Sequence, residues 1–458
     1  MNFEKTLCCA HCLGNLDFSK PDPQCLKCNL VFSKFGKNSF NMFSDPIRAI
    51  KNAQLLMKEW LSEVDGEIET LGPQINNPGL LRLTAGRLKN LRNGLIHQKD
   101  HVASQLSFLN LPQSSQPNPL DEARGQMRPK NEKLNAYENN IARDWGWGGA
   151  ENKAHLNQIQ NLMPPALKSG SILFLGSGAG RLCYDFANSF PDFEVFSLER
   201  NPLLFGVSLS VENSNKQSWD WIEFPKLPTD SEKVAVSLRL SRPEKTSSPQ
   251  NLCKLWADAF LPPVKPANFD IVVSSWFTDI VPQGLDAVAA LVGYCLKPKG
   301  FWIQNGALAW VNPRAQNHLT PEEFLEYIEA HPLGFEITKS QFEFTPYLQS
   351  PHSQMKRTEQ VFGFCAQMKN SIESALLRNQ FTKSRKPLWI NNPDLPVPRL
   401  PELEKLQVET TILYFALSHL DGSRSLNEIA QAFSAQFGLK NEDSLQTLSL
   451  FFEKNIRV

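Results

Sequence analysis

The sequence predicts an α/β fold: a Rossmann-like, twisted and mostly parallel sheet with helices on both faces. A small cysteine-rich module precedes it and a helical domain closes the chain. Three observations predict this. Residues 171–200 read as strand, glycine turn, helix, strand and acid. A β-branched run, Phe269-Asp270-Ile271-Val272-Val273-Ser274-Ser275, reads as a further buried strand. Two C-x-x-C pairs crowd the N-terminus, and an apolar helical pattern ends the chain.

Length and composition set the bounds. The 458 residues allow two to four domains. Basic and acidic residues balance at 47 each, so there is no overall basic field of the kind a nucleic-acid binder carries. No apolar run approaches a membrane span, and the N-terminus lacks the apolar segment of a signal peptide. Five of the nine cysteines fall before residue 30, which points to metal binding in a reducing compartment, read as cytoplasmic.

Residues 1–45 form the first module. Cys9 and Cys12, then Cys25 and Cys28, are two knuckles separated by twelve residues. Four thiolates complete a tetrahedral site for structural zinc, leaving Cys8 and His11 as spare residues. Residues 46–109 carry apolar positions at helical spacing, from Ile47 to Leu71 and from Leu80 to Val102. Residues 110–130, rich in Pro, Ser, Gln and Asn, read as a linker.

The central domain spans 131–370. Its apolar run Ile172-Leu173-Phe174-Leu175 enters the turn Gly176-Ser177-Gly178-Ala179-Gly180-Arg181-Leu182, and a second apolar run ends on Glu199. A dinucleotide fingerprint wants G-x-G-x-x-G, but here the pattern is G-x-G-x-G with Arg181 at the third glycine's place. An acid at the tip of the second strand can accept hydrogen bonds from ribose hydroxyls. The turn and Glu199 resemble motif I and the acidic position of class I S-adenosylmethionine methyltransferases. Further residues narrow the likeness. Arg143-Asp144-Trp145, followed by Gly148-Gly149 and Glu151, stands about twenty residues ahead of the first strand. Trp256-Ala257-Asp258-Ala259-Phe260, Trp276-Phe277-Thr278-Asp279, Leu296-Lys297-Pro298-Lys299-Gly300 and the Met355, Val361, Phe362 pattern come after it in order. Together, over about residues 135–370, they resemble the carnosine N-methyltransferase family, which carries Phe-Phe-x-Asp and Leu-Lys-Pro-Gly-Gly at the corresponding places.

The resemblance implies S-adenosylmethionine held by Gly176, Gly178, Gly180, Arg181, Glu199, Asp258, Ala259 and Ser274. It implies that Asp279 anchors an acceptor imidazole, with Tyr347 and His352 as candidates reaching the acceptor from the last strands. One segment departs. The family's Gly-Pro-Leu-Leu-Tyr-His is here Gly306-Ala307-Leu308-Ala309-Trp310-Val311, so the substrate-contacting His is replaced by Val311.

Residues 371–458 comprise a connection and the closing domain. Ser425 and Glu428 form a capping box ahead of an apolar helix. The stretch from Leu420-Asp421-Gly422-Ser423-Arg424 through Ser425-Leu426 to Glu428-Ile429-Ala430 resembles winged-helix-like domains of the PqqD type, which bind peptide leaders. A plain three-helix packing module is the other reading. The expected activity is N-methylation of an imidazole-type acceptor on a small molecule or peptide, the peptide or a partner protein being recruited by the last domain. Alternatives are methylation of another N or O atom on a peptide natural product or small metabolite, and a non-catalytic scaffold with the same fold. The sequence does not set the oligomeric state.

Overall fold

A computed structural model gives the fold and describes residues 3–109, 123, 125–213, 218–243, 248–311, 315–382, 394–397, 400 and 404–455. The chain divides into two compact units, Met1–Lys383 and Ser384–Val458.

The described strands all lie in the first unit. In chain order they are β1 (Leu16–Asp17), β2 (Gln24–Cys25), β3 (Lys34–Gly36), β4 (Ser39–Asn41), β5 (Gly170–Leu175), β6 (Phe193–Glu199), β7 (Ser218–Glu223), β8 (Val236–Ser241), β9 (Leu252–Trp256), β10 (Phe269–Ser275), β11 (Leu296–Gly306), β12 (Phe335–Tyr347) and β13 (Arg357–Met368). Nine of them make one sheet, in the order β12-β13-β11-β10-β5-β6-β9-β4-β3. β4, β9, β6, β5, β10 and β11 are parallel neighbours; at one edge β13 runs antiparallel to β11, and β12 antiparallel to β13. β5 lies between β6 and β10, so the strand order switches direction there. In open α/β sheets the crevice beyond the carboxyl ends of strands at such a switch binds ligands.

The strands are near-continuous apolar runs because helices cover both faces. Leu173 and Leu175 of β5 enter one core with Phe196, Leu198 and Val272. Ile172 and Phe174 enter another with Phe186, Val195 and Ile271. The Leu285–Cys295 helix is buried on every side except at Asp286, in keeping with its otherwise largely apolar sequence.

The N-terminal segment does not stand apart from this sheet. A two-stranded knuckle, β1 with β2, precedes β3 and β4. β4 then pairs in parallel with β9, extending the sheet into the module expected to end at residue 45. Phe3, Leu7, Phe32, Phe40 and Met42 share a core with strands β6 and β9. Two long helices come next, α1 (Pro46–Ile75) and α2 (Arg82–Gln105). Asp45 caps α1 by accepting the N–H of Arg48 at 2.9 Å, with Pro46 in the first turn. The β7–β8 hairpin packs on α2, whose Gln98 accepts the Ile222 N–H at 3.0 Å. The expected linker at 110–130 lies largely outside the described residues.

Among its described residues the second unit holds three helices, Glu404–Ser418, Leu426–Phe437 and Asn441–Asn455, around Phe415, Ile429, Phe433 and Leu448. The capping box expected at Ser425 is present, and Gly438 closes the second helix at φ 65°. Among residues 404–455 no strand forms, so the described part of this unit has no wing. No helix among the described residues is long and apolar enough to cross a membrane.

Candidate active site

The site is built at the carboxyl ends of β5, β6, β9 and β10. Leaving β5, the chain turns through Gly176, Gly178 and Gly180 at φ 63°, 60° and 85°, a region that costs L side chains energy. Each glycine has its own reason. A Cβ at Gly176 would meet the Phe277 ring at 2.6 Å, and one at Gly180 would meet the Ser208 Cβ at 2.8 Å. At Gly178 a Cβ would meet nothing within 4 Å, so this peptide faces open space.

Glu199, at the tip of β6, is 8% exposed and closes the turn. One carboxylate oxygen accepts the Gly178 N–H at 2.7 Å. The other accepts the Arg200 and Asn201 N–H groups at 2.8 and 2.7 Å. A carboxylate offers about four lone-pair sites, so room for roughly one further donor remains. Burial raises the carboxyl to about 7 against the pull of those backbone donors. The Glu199 carbonyl accepts the Ala257 N–H at 3.1 Å, which sets the start of the segment after β9. There Asp258 is half-buried, with one oxygen accepting the Phe260 N–H at 2.9 Å, and Ala259 is buried.

The Arg143-Asp144-Trp145 segment braces the turn from outside. Trp145 donates its indole N–H to the Ala179 carbonyl at 3.0 Å. Arg181 lies 5.3 Å over the Trp145 ring, bonds Asp185 at 2.8 Å and donates to the Asp144 carbonyl. Its guanidinium is thus engaged by protein groups, and Arg181 serves the site through the turn it anchors. Arg143 pairs with Asp144 at 2.7 Å and Glu151 at 3.4 Å. Glu151 in turn accepts the Leu348 N–H at 3.0 Å, next to Tyr347.

The Ser274 side chain does not reach this site, which corrects the expectation for it. It is fully enclosed, donates to Gln304 at 2.6 Å and accepts the Trp302 indole N–H at 2.7 Å. Strand alternation turns it into the sheet's covered face.

Beyond β10 the chain forms the second half of the site. Asp279 is 4% exposed. Its Oδ2 accepts the Ala309 N–H at 2.9 Å, and its carbonyl accepts the Val311 N–H at 3.0 Å. The departing 306–311 segment therefore positions Asp279 by backbone alone, independently of the side chain at 311. Asp279 Oδ1 is buried with no hydrogen-bond partner, and burial raises the carboxyl's pKa. Tyr137 joins the halves: beyond its burial, Asp279, Tyr347 and Glu199 all act electrostatically to raise its hydroxyl pKa. The expected acceptor residues and the acid of the turn thus all act on one tyrosine, which is itself 40% exposed.

A family model described as carnosine N-methyltransferase matches residues 122–370, more than half of the chain, and takes in both halves of this site. The chain belongs to the carnosine N-methyltransferase family. It is accordingly a methyltransferase. No curated protein matches it in sequence. Among solved structures, a 16S rRNA (adenine(1408)-N(1))-methyltransferase from Catenulisporales acidiphilia is 14% identical, with 48% of this chain and 92% of that one covered and a TM-score of 0.32. Phosphoethanolamine N-methyltransferase 2 of Haemonchus contortus, in complex with S-adenosyl-L-methionine, is 15% identical, with 52% and 58% covered and a TM-score of 0.33. A SAM-dependent methyltransferase of Thermotoga maritima, described as a possible histamine N-methyltransferase, is 12% identical, with 52% and 96% covered and a TM-score of 0.31.

Two further residues of this candidate site, Tyr137 and His155, escape sequence reasoning, and Trp276 figures there only as the start of the pattern ending at Asp279. Tyr137 and Trp276 both sit at positive φ, 63° and 53°. For a bulky side chain that costs about 1–2 kcal/mol, and such strain gathers at functional sites. Trp276 packs its ring 4.9 Å from Tyr347 and 6.0 Å from His155. No local pattern marks Tyr137 or His155, and the contacts of Trp276 arise between distant segments. His352, by contrast, donates its N–H to Ser350 at 3.1 Å and its carbonyl accepts the Thr229 N–H. No hydrogen bond or ring contact among the described residues joins it to Asp279 or Tyr347.

The four knuckle cysteines of the methyltransferase converge. Their sulfurs all lie within 4.8 Å of one another, with Cys9–Cys28 at 3.7 Å and Cys12–Cys25 at 3.4 Å. A tetrahedral zinc with bonds of ~2.3 Å needs sulfur–sulfur edges of about 3.8 Å, so the donor set fits. Lys27 and Cys28 direct backbone N–H groups at the Cys25 sulfur at 3.4 and 3.5 Å, the bonding a thiolate ligand requires. Cys8 is buried outside the cluster.

Proposed function

We propose that this methyltransferase uses S-adenosylmethionine to methylate a ring nitrogen of an imidazole-bearing acceptor, a histidine-containing dipeptide or peptide. The observation that carries this reading is Asp279 Oδ1, a buried carboxylate oxygen without a partner. A buried carboxylate oxygen left bare is costly, and a donor from a bound molecule would satisfy it.

The cofactor has its place in the turn. The free space at Gly178 suits its amino-acid part, the remaining acceptor capacity of Glu199 suits ribose hydroxyls, and Asp258 suits the adenine amino group. When bound, S-adenosylmethionine supplies a methyl group on a sulfonium, which is already a good leaving group.

The chain's own contribution is alignment and charge. Asp279 Oδ1 accepts the acceptor's ring N–H and so fixes the tautomer, turning the lone pair of the other ring nitrogen toward the methyl carbon. As that nitrogen becomes bonded to carbon the ring turns cationic, and the carboxylate stabilises it where water is excluded. The amides of Ala309 and Val311 hold Asp279 in position throughout. In the knuckle, Cys9, Cys12, Cys25 and Cys28 hold a structural zinc in this reading.

The test is transfer of a labelled methyl group to carnosine, histidine and histidine-containing peptides, with wild type and Asp279→Asn. The substitution keeps an acceptor oxygen for the Ala309 N–H but weakens the hold on a ring N–H. Loss of transfer by about 100-fold or more, with cofactor affinity unchanged, is expected. Label on none of these imidazoles, despite measurable cofactor binding, would overturn the acceptor assignment.

A further inference from the structure

Trp276 stands where the family's Phe-Phe-x-Asp pattern has its first Phe, and unlike a phenyl ring it carries an N–H donor. That donor, Nε1, is buried and unpartnered. The neighbouring His155 is 6% exposed, and its Nε2 is also buried and unpartnered. The two rings lie 6.0 Å apart between centroids, yet no hydrogen bond joins them.

The backbone shows that this placement is imposed. Trp276 is held at φ 53°. Its N–H is donated to the Asn305 carbonyl at 2.7 Å. Gly306 beneath it has no room for a Cβ, which would fall 3.0 Å from the Trp276 nitrogen. The ring also packs on Tyr347 at 4.9 Å. A strained, clamped indole with an unused donor is arranged for a ligand rather than for packing alone.

We infer that Trp276 and His155 form a specificity subsite for an uncharged oxygen of the acceptor, a carbonyl or hydroxyl, beside the ring that Asp279 holds. Trp276 donates to that oxygen. His155 completes its shell, donating to a carbonyl or accepting from a hydroxyl according to its tautomer. Burial pushes the His155 imidazole down to about 3, so it meets the ligand neutral. Among the described residues of this site, an anionic oxygen gains no free arginine. Arg143 is paired with Asp144 and Glu151, and Arg357, stacked on Tyr347, is paired with Glu359. The inference rests on the imidazole reading and adds a second anchor to it.

The experiment compares two probes on the full-length chain with S-adenosylhomocysteine present: N-acetylhistidinamide, which carries amide carbonyls, and 4-methylimidazole, which carries no oxygen. Titration calorimetry on wild type should favour the amide by about tenfold, the worth of one good buried hydrogen bond. Trp276→Phe, a residue the family itself uses there, should abolish that preference while leaving 4-methylimidazole binding within about twofold. Independently of any variant, the Trp276 indole N–H resonance of wild type should move downfield with N-acetylhistidinamide and stay in place with 4-methylimidazole. Histidinol, carrying a hydroxyl, separates the two oxygen types: a shift as large as the amide's assigns the subsite to either oxygen, and a smaller one to a carbonyl. Equal weakening of both probes by Trp276→Phe, or an indole resonance unmoved by the amide, overturns the subsite while the imidazole reading stands. Failure of wild type to bind either probe overturns both.

Discussion

Glu199 accepts the Gly178 N–H at 2.7 Å, which makes the acid closing β6 and the turn leaving β5 one hydrogen-bonded unit. Three of its roughly four acceptor positions serve the backbone, so the carboxylate shapes the turn before any ligand arrives.

The charge state of Glu199 should govern cofactor binding. Burial raises its carboxyl from 4.5 to about 7. A protonated carboxyl loses acceptor capacity, so affinity for S-adenosylmethionine should rise as pH climbs to about 7 and level off above it. Titrations should give a dissociation constant roughly thirty-fold weaker at about pH 5.5 than at about pH 8. Glu199→Gln should flatten that profile. The stability term has the opposite sign. A raised carboxyl favours the folded state fully below about 4.5, and the contribution is lost as pH rises through about 7.

Two glycine substitutions should separate strain from ligand space. Gly178→Ala meets only backbone strain, about 1–2 kcal/mol, and places a methyl group where the cofactor is proposed to lie. Its melting temperature should fall slightly and its cofactor affinity more than about tenfold. Gly180→Ala drives a Cβ into Ser208 and should lose about 1–3 kcal/mol more in thermal unfolding.

Metal should be measurable and structural. Elemental analysis of the purified chain is expected to find about one zinc per chain, and Cys12→Ser should lose it. The knuckle is tied to the segment after Asp258: the Cys8 N–H donates to the Pro263 carbonyl at 2.9 Å, and Leu7 bridges Val264. Chelation should therefore weaken cofactor binding as well as lower the melting temperature. Unchanged cofactor affinity after full metal loss would show the segment to be held by the rest of the core.

The C-terminal unit should respond on its own. Ser425 and Glu428 bond reciprocally, Ser425 N–H to the Glu428 carboxylate at 2.6 Å and Glu428 N–H to the Ser425 hydroxyl at 3.3 Å. Ser425→Ala should cost about 1 kcal/mol in unfolding of this unit. Cofactor titration should be unaffected, since Phe415, Ile429 and Phe433 belong to a separate core.

What the sequence revealed was local. The glycine turn, the paired cysteines, the β-branched run at 269–275 and the capping box at Ser425 each declare themselves within a few residues. Asp279 was visible because a short motif surrounds it. Tyr137 and His155 were not, and Trp276, though inside that motif, gave no sign of its unused donor, because a positive φ and an unused buried nitrogen are products of tertiary packing. Ser274 misled for a related reason: a polar residue near a strand's end suggests a ligand contact, but the strand's alternation points it at Gln304 and Trp302. The short Ser39–Asn41 strand carries no periodicity of its own, and its place is set by β9.

That last pairing has a consequence for how the chain comes to be folded. Lys37 donates to Gln250 at 2.7 Å, across 213 residues, and β4 lies alongside β9, the next strand in the chain after that glutamine. In synthesis β4 precedes the strand on which it docks by roughly the 213 residues that separate Lys37 from Gln250. A metal bound by the four cysteines would close a small loop early, but docking of β4 must wait. The knuckle and β4 thus take their final position late, a long-range closure of the kind that slows folding.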